Sequence, residues 1–139
     1  MTRAFIDTDV IIDFLTDRKP FSDSAAILFN RIDRKEIDGC TSAQSISNLY
    51  YILRKFAPHR KVIQALRDLT LILGILPVNQ EIIGKALQSD FNDFEDGVQY
   101  FCAEAGQADV IVTRNIRNYK RMGIAVMTPD IMVKVKFAG

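Results

Sequence analysis

Two kinds of apolar stretch alternate along this chain of 139 residues. Short stretches bounded by polar or turn residues predict five strands, at residues 4–6, 37–41, 76–78, 110–112 and 124–127. Between them, apolar residues recur at helical spacing. They predict helices at residues 10–15, 22–32, 42–53, 61–73, 80–88 and 93–105, and a terminal helix that opens at Thr128-Pro129.

Strands that alternate with helices predict an α/β fold whose sheet is mostly parallel. The residues Val110, Ile111 and Val112 have no polar alternation, so this strand should be buried on both faces. Pro77 favours an edge position for the third strand, because proline cannot donate to a sheet ladder. The length and the absence of a linker predict one domain over residues 1–139.

Composition narrows the function classes only a little. Hydrophobic residues make up 48% of the chain, which suits a packed core, and the formal net charge is +1. No apolar run is long enough to span a bilayer and no secretory signal is visible, so we expect a cytoplasmic protein without a membrane partner. The two cysteines, Cys40 and Cys102, lack metal-like spacing and are interpreted as free thiols.

Basic residues concentrate in two places. Residues 110–139 carry six basic side chains against one acid, and a second acid-free cluster contains Arg54, Lys55, Arg60, Lys61 and Arg67. Such patches can hold phosphates, although a solvated surface is the simpler interpretation of each one alone. The sole histidine, His59, follows Pro58 in this cluster and is interpreted as a surface residue.

Polar side chains follow the predicted strands where each of them ends. Asp7 follows the first strand, Ser42 the second, and Thr113 and Asn115 the fourth, while Asp96 lies in the first turn of its helix. The carboxyl ends of parallel strands meet at one edge of a sheet, so these residues should converge there. Clustered carboxylates repel one another unless a hard divalent cation neutralises them. The pattern therefore predicts a metal site that activates water.

Each acid also has a simpler structural interpretation. Asp7 would be a turn residue, Asp93 an N-cap, and Asp96 a first-turn acid that favours the helix dipole. Three other acids are expected to serve only as caps or to be solvated, with Asp9 as the N-cap of the first helix: Asp9, Asp13 and Glu95. The joint placement of Asp7 and Asp96 is what favours the metal site over these alternatives.

The order of several segments resembles the PIN domain family, in particular its branch of VapC-like toxin ribonucleases. The resemblance covers nearly the whole chain and rests on residues 5–13, 41–43, 50–54, 93–100, 110–119 and 128–129. It implies a three-layer α/β/α sandwich, RNA cleavage that depends on Mg²⁺ or Mn²⁺, a homodimer and, in a toxin–antitoxin pair, an antitoxin partner.

The resemblance also implies roles for individual residues. Asp7 would be the first metal acid, Asp96 the main later one, and Thr113 a hydrogen-bonding residue of the site. Asp93 lies one helical turn from Asp96 and would add charge on the same side. Four basic residues follow the site and would neutralise RNA phosphates: Arg114, Arg117, Lys120 and Arg121. Tyr119 and Tyr100 would stack on bases, with core packing favoured for Tyr100.

Three positions depart from the family pattern. Asn48, Asn115 and Asn118 stand where the family usually has acids, and asparagine brings no negative charge to a metal. Loss of these charges leaves open a catalytically impaired module that binds RNA or a protein partner.

A more remote alternative is a haloacid-dehalogenase-like phosphatase. Asp7 would then attack phosphate and Asp9 would act as acid and base. Ile11 stands where that motif has threonine or valine, and the chain is short for a fold that carries a cap.

Overall fold

A computed structural model describes residues 1–119 and 123–135, and one five-stranded sheet organises them. The strands are β1 (Arg3–Ile6), β2 (Asp38–Ser42), β3 (Gly74–Leu76), β4 (Val110–Val112) and β5 (Ala125–Met127). Their order is β3-β2-β1-β4-β5, and all four strand pairs are parallel. The predicted parallel sheet is confirmed, with β1 at its centre.

Seven α-helices accompany the strands within the described ranges; six lie between strands and α7 follows β5. They are α1 (Thr8–Leu15), α2 (Ser22–Asp33), α3 (Ala43–Leu53), α4 (His59–Thr70), α5 (Gln80–Gln88), α6 (Phe94–Ala105) and α7 (Pro129–Met132). Three predicted N-caps are confirmed: the side chains of Ser42, Asn79 and Asp93 each accept a hydrogen bond from a backbone amide in the first turn of α3, α5 and α6. A short 3₁₀ helix, Ile116–Tyr119, follows β4 and was not predicted.

Two hydrophobic cores cover the two faces of the sheet. In β1, Ala4 and Ile6 pack into the core beneath α1, α2, α3 and α4, whereas Phe5 points into the core beneath α5 and α6. In β4, Ile111 likewise faces the second core, and Val112 the first. This alternation is what a strand buried on both faces requires, and it confirms the three-layer α/β/α sandwich.

Several predicted boundaries shift. The third strand begins at Gly74, directly after the predicted helix 61–73 and two residues before the predicted strand, and it lies at the sheet edge as Pro77 indicated. The first helix begins at Thr8, so the expectation that Asp9 is its N-cap is wrong. Asp7 takes that position because it has extended geometry, with φ −71° and ψ 155°, and its side chain accepts from Thr8 N.

Close packing fixes one glycine of β2. A Cβ atom on Gly39 would lie 2.8 Å from Ile32 and Leu73 side-chain atoms, so α2 and the end of the α4–β3 connection approach the strand because the side chain is absent. Cys40 and Cys102 are both buried free thiols, as predicted. Among the described residues, the longest and most apolar helices fall short of what a bilayer crossing needs.

Candidate active site

Asp7 lies at the centre of a polar cluster where β1 and β4 end. Its backbone amide donates to Val112 O at 2.9 Å, which keeps it in register with β4. Its Oδ1 accepts from Thr8 N at 2.8 Å and from the Gln99 amide at 3.3 Å. Its Oδ2 accepts from Thr113 Oγ1 at 2.9 Å and from the Tyr119 hydroxyl at 3.1 Å. Each oxygen of this nearly buried carboxylate therefore has two donors, which fills its usual acceptor capacity.

The Gln99 side chain is fixed on both of its polar atoms. Its Nε2 donates to Ser45 Oγ at 2.7 Å as well as to Asp7, and its Oε1 accepts from Ser42 Oγ. The three residues that are hydrogen-bonded to the Gln99 side chain, Asp7, Ser42 and Ser45, are all buried. The Gln99 amide therefore cannot rotate without breaking hydrogen bonds. Ser42 thus lies behind Asp7 and reaches the acid through Gln99.

Asp9 belongs to the same cluster, and the expectation that it is only capping or solvated is wrong. Its Oδ2 accepts from Arg114 N at 3.1 Å and from Asn115 Nδ2 at 3.2 Å. Its Oδ1 is buried and has no hydrogen-bond partner among the described residues. Burial, followed by the negative charge of Asp7, raises the pKa of Asp9 to about 6. Because Asp9 Oδ1 is buried and has no hydrogen-bond partner among the described residues, it is a candidate metal ligand.

Asp96 reaches the cluster from the first turn of α6. Its Oδ1 accepts from the Tyr119 hydroxyl at 3.4 Å, so Asp96 and Asp7 share one hydroxyl group. Burial, and then the charges of Asp93 and Asp7, raise the pKa of Asp96 to about 6. Asp93 itself is exposed and accepts from Asp96 N at 3.2 Å as the N-cap of α6. Glu95 is exposed, as predicted.

Tyr119 is fully buried at the end of the 3₁₀ helix. Its ring packs against Phe91 at 6.4 Å between ring centres, and its hydroxyl contacts both Asp7 and Asp96. Burial and the two nearby carboxylates raise the pKa of this phenol. The expectation that Tyr119 stacks on RNA bases is wrong, because its ring has no exposed face. Tyr100 is buried too, as core packing predicted.

The three asparagines occupy different environments. Asn115 donates to Asp9 and therefore stabilises an acid of the cluster. Asn118 is exposed and lines a cavity of about 730 Å³ together with Asp93, Asp96 and Arg117. Asn48 is half-buried one helical turn after Ser45, and it has no hydrogen bond to the acids within the described ranges. Of the three, only Asn115 has a hydrogen bond to a site acid among the described residues.

Arg114 binds a buried acid instead of projecting into solvent. Its Nε lies 2.6 Å from Asp13 Oδ2, and its guanidinium carbon lies 4.1 Å from the centre of the Phe21 ring. Asp13 is 1% exposed, so the expectation that it is only capping or solvated is wrong. The interpretation of Arg114 as a phosphate-binding residue loses support, because its charge is already paired. Arg117 is exposed at the cavity, and Lys120 and Arg121 lie outside the described residues.

The residues of this cluster suit a hard divalent cation that takes only one or two of its ligands from the protein. Within residues 1–119 and 123–135, no three His, Cys, Asp or Glu side chains are arranged to hold a metal ion. Mg²⁺, however, is usually held by one or two carboxylates, with water and substrate phosphates completing its shell. Asp7 and Asp96 share one hydroxyl, and Asp9 adds a buried oxygen without a partner. This donor set, all oxygen, suits Mg²⁺ or Mn²⁺ better than a soft metal.

Four residues of this cluster were not predicted as part of the metal site: Asp9, Ser45, Gln99 and Tyr119. Asp9 was assigned a catalytic role only in the phosphatase alternative, and Tyr119 was assigned a role only as a base-stacking residue. Gln99 carried a usable signal, because it is a polar residue inside an otherwise apolar stretch of α6 and lies three positions after Asp96. Ser45 lies three positions after the N-cap Ser42, on the side of α3 that faces the sheet. Tyr119 gave no such signal, since a four-residue 3₁₀ helix has no periodicity to read.

Comparison with known proteins gives a consistent result. The PIN domain family profile matches residues 3–117. Ribonuclease VapC1 of Aquifex aeolicus (strain VF5) is 25% identical over 133 residues, which cover 92% of this chain and 91% of the relative.

Solved structures share the fold at lower sequence identity. A toxin–antitoxin complex from Klebsiella pneumoniae aligns with a TM-score of 0.67 and 18% identity, covering 91% of this chain and 97% of that one. DNA-bound VapBC from Salmonella typhimurium aligns with a TM-score of 0.67 and 18% identity, covering 93% of this chain and 99% of that one.

Proposed function

This chain belongs to the PIN domain family, and from that premise we propose that it is a metal-dependent endoribonuclease that cleaves RNA phosphodiester bonds. The observation that carries the proposal is the meeting of Asp7 and Asp96 at one hydroxyl group, at the sheet edge where parallel strands end. The two acids come from distant parts of the sequence and repel one another. A site built in this way suits a cation that PIN domain nucleases generally require.

Some residues of this site would bind the cation, and others would position the acids that bind it. Asp7 and Asp96 would hold Mg²⁺ or Mn²⁺, with the unpartnered oxygen of Asp9 beside them and Asp93 adding charge at the rim. When bound, such a cation neutralises phosphate charge and lowers the pKa of bound water. Thr113 fixes the relative positions of Asp7 and Asp9, since its hydroxyl lies 2.9 Å from Asp7 Oδ2 and 3.5 Å from Asp9 Oδ2.

RNA would reach the acids through the adjoining cavity. Arg117 and Asn118 line it beside Asp96, and the exposed guanidinium of Arg117 would pair with a phosphate. The second basic cluster is exposed as well, on α4 and in the segment between α3 and α4. Because no acid lies between Asp38 and Asp68 in the sequence, this surface would attract a longer RNA.

We further propose an antitoxin protein as partner, a homodimeric assembly and a cytoplasmic location. The support for the antitoxin is the nature of the similar proteins, which are a VapC ribonuclease and toxin–antitoxin complexes. The match to the PIN domain family argues against the phosphatase alternative. In addition, Asp9 Oδ2, which would have acted as acid and base, accepts hydrogen bonds from Arg114 N and Asn115.

The impaired binding module is the second candidate. Asn48, Asn115 and Asn118 favour it, because each replaces a usual acid of the family, and the described residues hold no trio of acidic ligands. This protein would bind RNA without cleaving it, and chelation of metal would leave RNA binding unchanged.

Calorimetric titration of Mn²⁺ tests the metal site directly. The wild type should bind Mn²⁺ saturably, and Asp7→Asn should abolish binding, while Asp68→Asn, on the exposed side of α4, should bind normally. Circular dichroism verifies that each variant is folded. In parallel, RNA cleavage should require metal and be lost in Asp96→Asn. Absence of Mn²⁺ binding by the folded wild type, with RNA bound equally in the presence of a chelator, would establish the binding module instead.

A further inference from the structure

The Tyr119 hydroxyl lies between the two acids that are proposed to hold the metal. It is 3.1 Å from Asp7 Oδ2 and 3.4 Å from Asp96 Oδ1, and the side chain is fully buried. A phenol carries one proton, so it can donate to only one of these oxygens at a time. The other carboxylate oxygen then faces a lone pair of the hydroxyl, which gives it no stabilisation.

The other three donors to Asp7 are fixed more firmly. Thr8 donates from its backbone amide, and the Gln99 amide is held by Ser42 and Ser45. Thr113 also accepts from the amide of Asn115 at 3.0 Å, which orients its hydroxyl toward the acids. By contrast, the Tyr119 hydroxyl accepts from no such donor among the described residues, so its proton can turn away from Asp7 without moving the backbone. A cation that needs a lone pair of Asp7 would therefore displace the Tyr119 hydrogen bond first.

We infer that Tyr119 is a positioning residue that holds Asp7 and Asp96 together in the metal-free protein and gives up its hydrogen bond to Asp7 when a divalent cation binds. The inference rests on the proposed metal-dependent function. In the metal-free protein Thr8, Gln99, Thr113 and Tyr119 fill the acceptor positions of Asp7, so a cation gains one of them only when Tyr119 gives up its hydrogen bond. Tyr119 thus weakens metal binding while it stabilises the protein without metal.

The sign of the effect follows from comparing the two states. In the metal-free protein, Tyr119→Phe removes the hydroxyl that Asp7 and Asp96 share and leaves their repulsion less compensated. In the metal-bound protein, the cation already neutralises both acids, so the same substitution removes little. A hydrogen bond to a charged group changes an equilibrium by about tenfold or more. Tyr119→Phe should therefore bind Mn²⁺ about tenfold more tightly than the wild type.

Mn²⁺ titration calorimetry on the full chain tests the inference. Tyr119→Phe should show the tenfold decrease in dissociation constant, whereas Tyr50→Phe should not change it. Tyr50 is a suitable control because its hydroxyl contacts His59 and Arg54 on the α3–α4 side of the protein. Thermal denaturation gives a second readout: without metal Tyr119→Phe should melt below the wild type, and Mn²⁺ should raise its melting temperature by more than it raises that of the wild type.

The outcomes separate this inference from the proposed function. Equal or weaker Mn²⁺ binding by Tyr119→Phe, with binding by the wild type that Asp7→Asn abolishes, overturns the role of Tyr119 and leaves the metal site in place. Binding by neither protein overturns both. Binding by Tyr119→Phe alone supports the inference. If the variant does not fold, the tyrosine ultraviolet difference spectrum of the wild type decides: Mn²⁺ should perturb it, and an unperturbed spectrum at saturating metal refutes the displacement.

Discussion

Asp13 and Arg114 form an ion pair although they are 101 positions apart, with Arg114 Nε 2.6 Å from Asp13 Oδ2. The pair joins α1 to the segment that follows β4. The same segment presents the Arg114 amide and the Asn115 side chain to Asp9. The ion pair therefore helps to fix the position of this segment, whose Arg114 amide and Asn115 side chain donate hydrogen bonds to Asp9.

Removing the positively charged Arg114 side chain of this pair should destabilise the protein strongly. Arg114→Ala leaves the carboxylate of Asp13 buried without a counter-charge, and such a loss costs about 3 kcal/mol. The Arg114 side chain is 26% exposed, which places the expected value at the lower end of the range for buried pairs. Urea unfolding measures the change. Arg117→Ala, at an exposed position, should alter stability by less than about 0.5 kcal/mol, and a similarly small change for Arg114→Ala would refute the role of the pair.

Thr113→Val should lower stability, and it should weaken metal binding because the Thr113 hydroxyl fixes Asp7 relative to Asp9, a role that Tyr119 does not have. The substitution keeps the shape but removes the hydroxyl that donates to Asp7 at 2.9 Å, which costs about 1.5–3 kcal/mol for a bond to a charged group. Thr41→Val is the matched control, because Thr41 is equally buried but donates to the neutral oxygen Ile6 O at 2.8 Å.

Urea unfolding and Mn²⁺ titration distinguish the two threonines. Both variants should lose stability, and only Thr113→Val should also lose Mn²⁺ affinity. Equal metal binding by the two variants would mean that the Thr113 hydroxyl does not position the acids.

The metal-free protein should become less stable as pH rises from about 4 to about 6. Asp9 and Asp96 have a pKa of about 6 in the folded protein, against 3.8 ordinarily. Between these values the folded state holds protons that the unfolded chain has released, so each step up in pH favours unfolding. Solvent screening of these partly accessible groups limits the loss to on the order of 1 kcal/mol each.

Urea unfolding in the presence of a chelator measures this pH profile. Asp9→Asn and Asp96→Asn should each flatten it, because the variant side chain does not titrate. Affinity for Mn²⁺ should rise over the same interval and then become constant, since the proton no longer competes. A stability that increases steadily from pH 4 to pH 6 in metal-free wild type would contradict the raised pKa values.

Two glycines should respond to alanine in opposite directions. Gly39→Ala brings a methyl group to 2.8 Å from Ile32 and Leu73 atoms, and overpacking of this kind costs about 1–3 kcal/mol. Gly84 lies inside α5 with nothing within 4 Å of an added Cβ, so Gly84→Ala should stabilise the protein by about 0.5–1 kcal/mol through helix propensity. Thermal denaturation of the pair tests both signs, and a neutral Gly39→Ala would show that α2 moves freely over β2.

Arg117 should contribute to RNA affinity through charge. Arg117→Ala should reduce the salt dependence of single-stranded RNA binding by about 0.7 in the slope of log K against log salt, the amount expected for one phosphate contact. Fluorescence anisotropy in the presence of a chelator measures binding without cleavage. Lys85→Ala is the control, because Lys85 lies 3.7 Å from Glu81 on α5. An unchanged slope for Arg117→Ala would remove Arg117 from the RNA interface.

The parts of the site that follow strands were predictable from the sequence. Asp7, Ser42 and Thr113 come directly after or at the end of strands that are parallel, so their convergence at one edge follows from the fold class. Asp93 was also predicted as an N-cap, because capping is a local property. The metal-ligating and catalytic roles of these acids remain predictions.

The parts that depend on distant pairing were not predictable. Nothing next to Asp13 in the sequence indicates that it is buried, since its partner Arg114 lies in another element. Tyr119 illustrates the same limit: an aromatic residue among basic ones suggests RNA stacking, whereas its burial depends on how the 3₁₀ helix packs on α6. The role of a single acid such as Asp9 is equally ambiguous in the sequence. Asp9 was predicted to be the N-cap of α1, but Asp7, two positions earlier, is the N-cap, and Asp9 lies in the acidic cluster.

The separation of Asp7 from Tyr119 by 112 positions has a consequence for how the protein is made. During synthesis, Asp7 leaves the ribosome long before Thr113 and Tyr119 are added. A chain that stops after α6 contains Asp7, Asp9, Asp93 and Asp96 but lacks β4, so these acids have no common edge on which to meet. Incomplete chains of this kind would therefore lack the acidic cluster, and the proposed RNA cleavage would begin only after Thr113 and Tyr119 have been added.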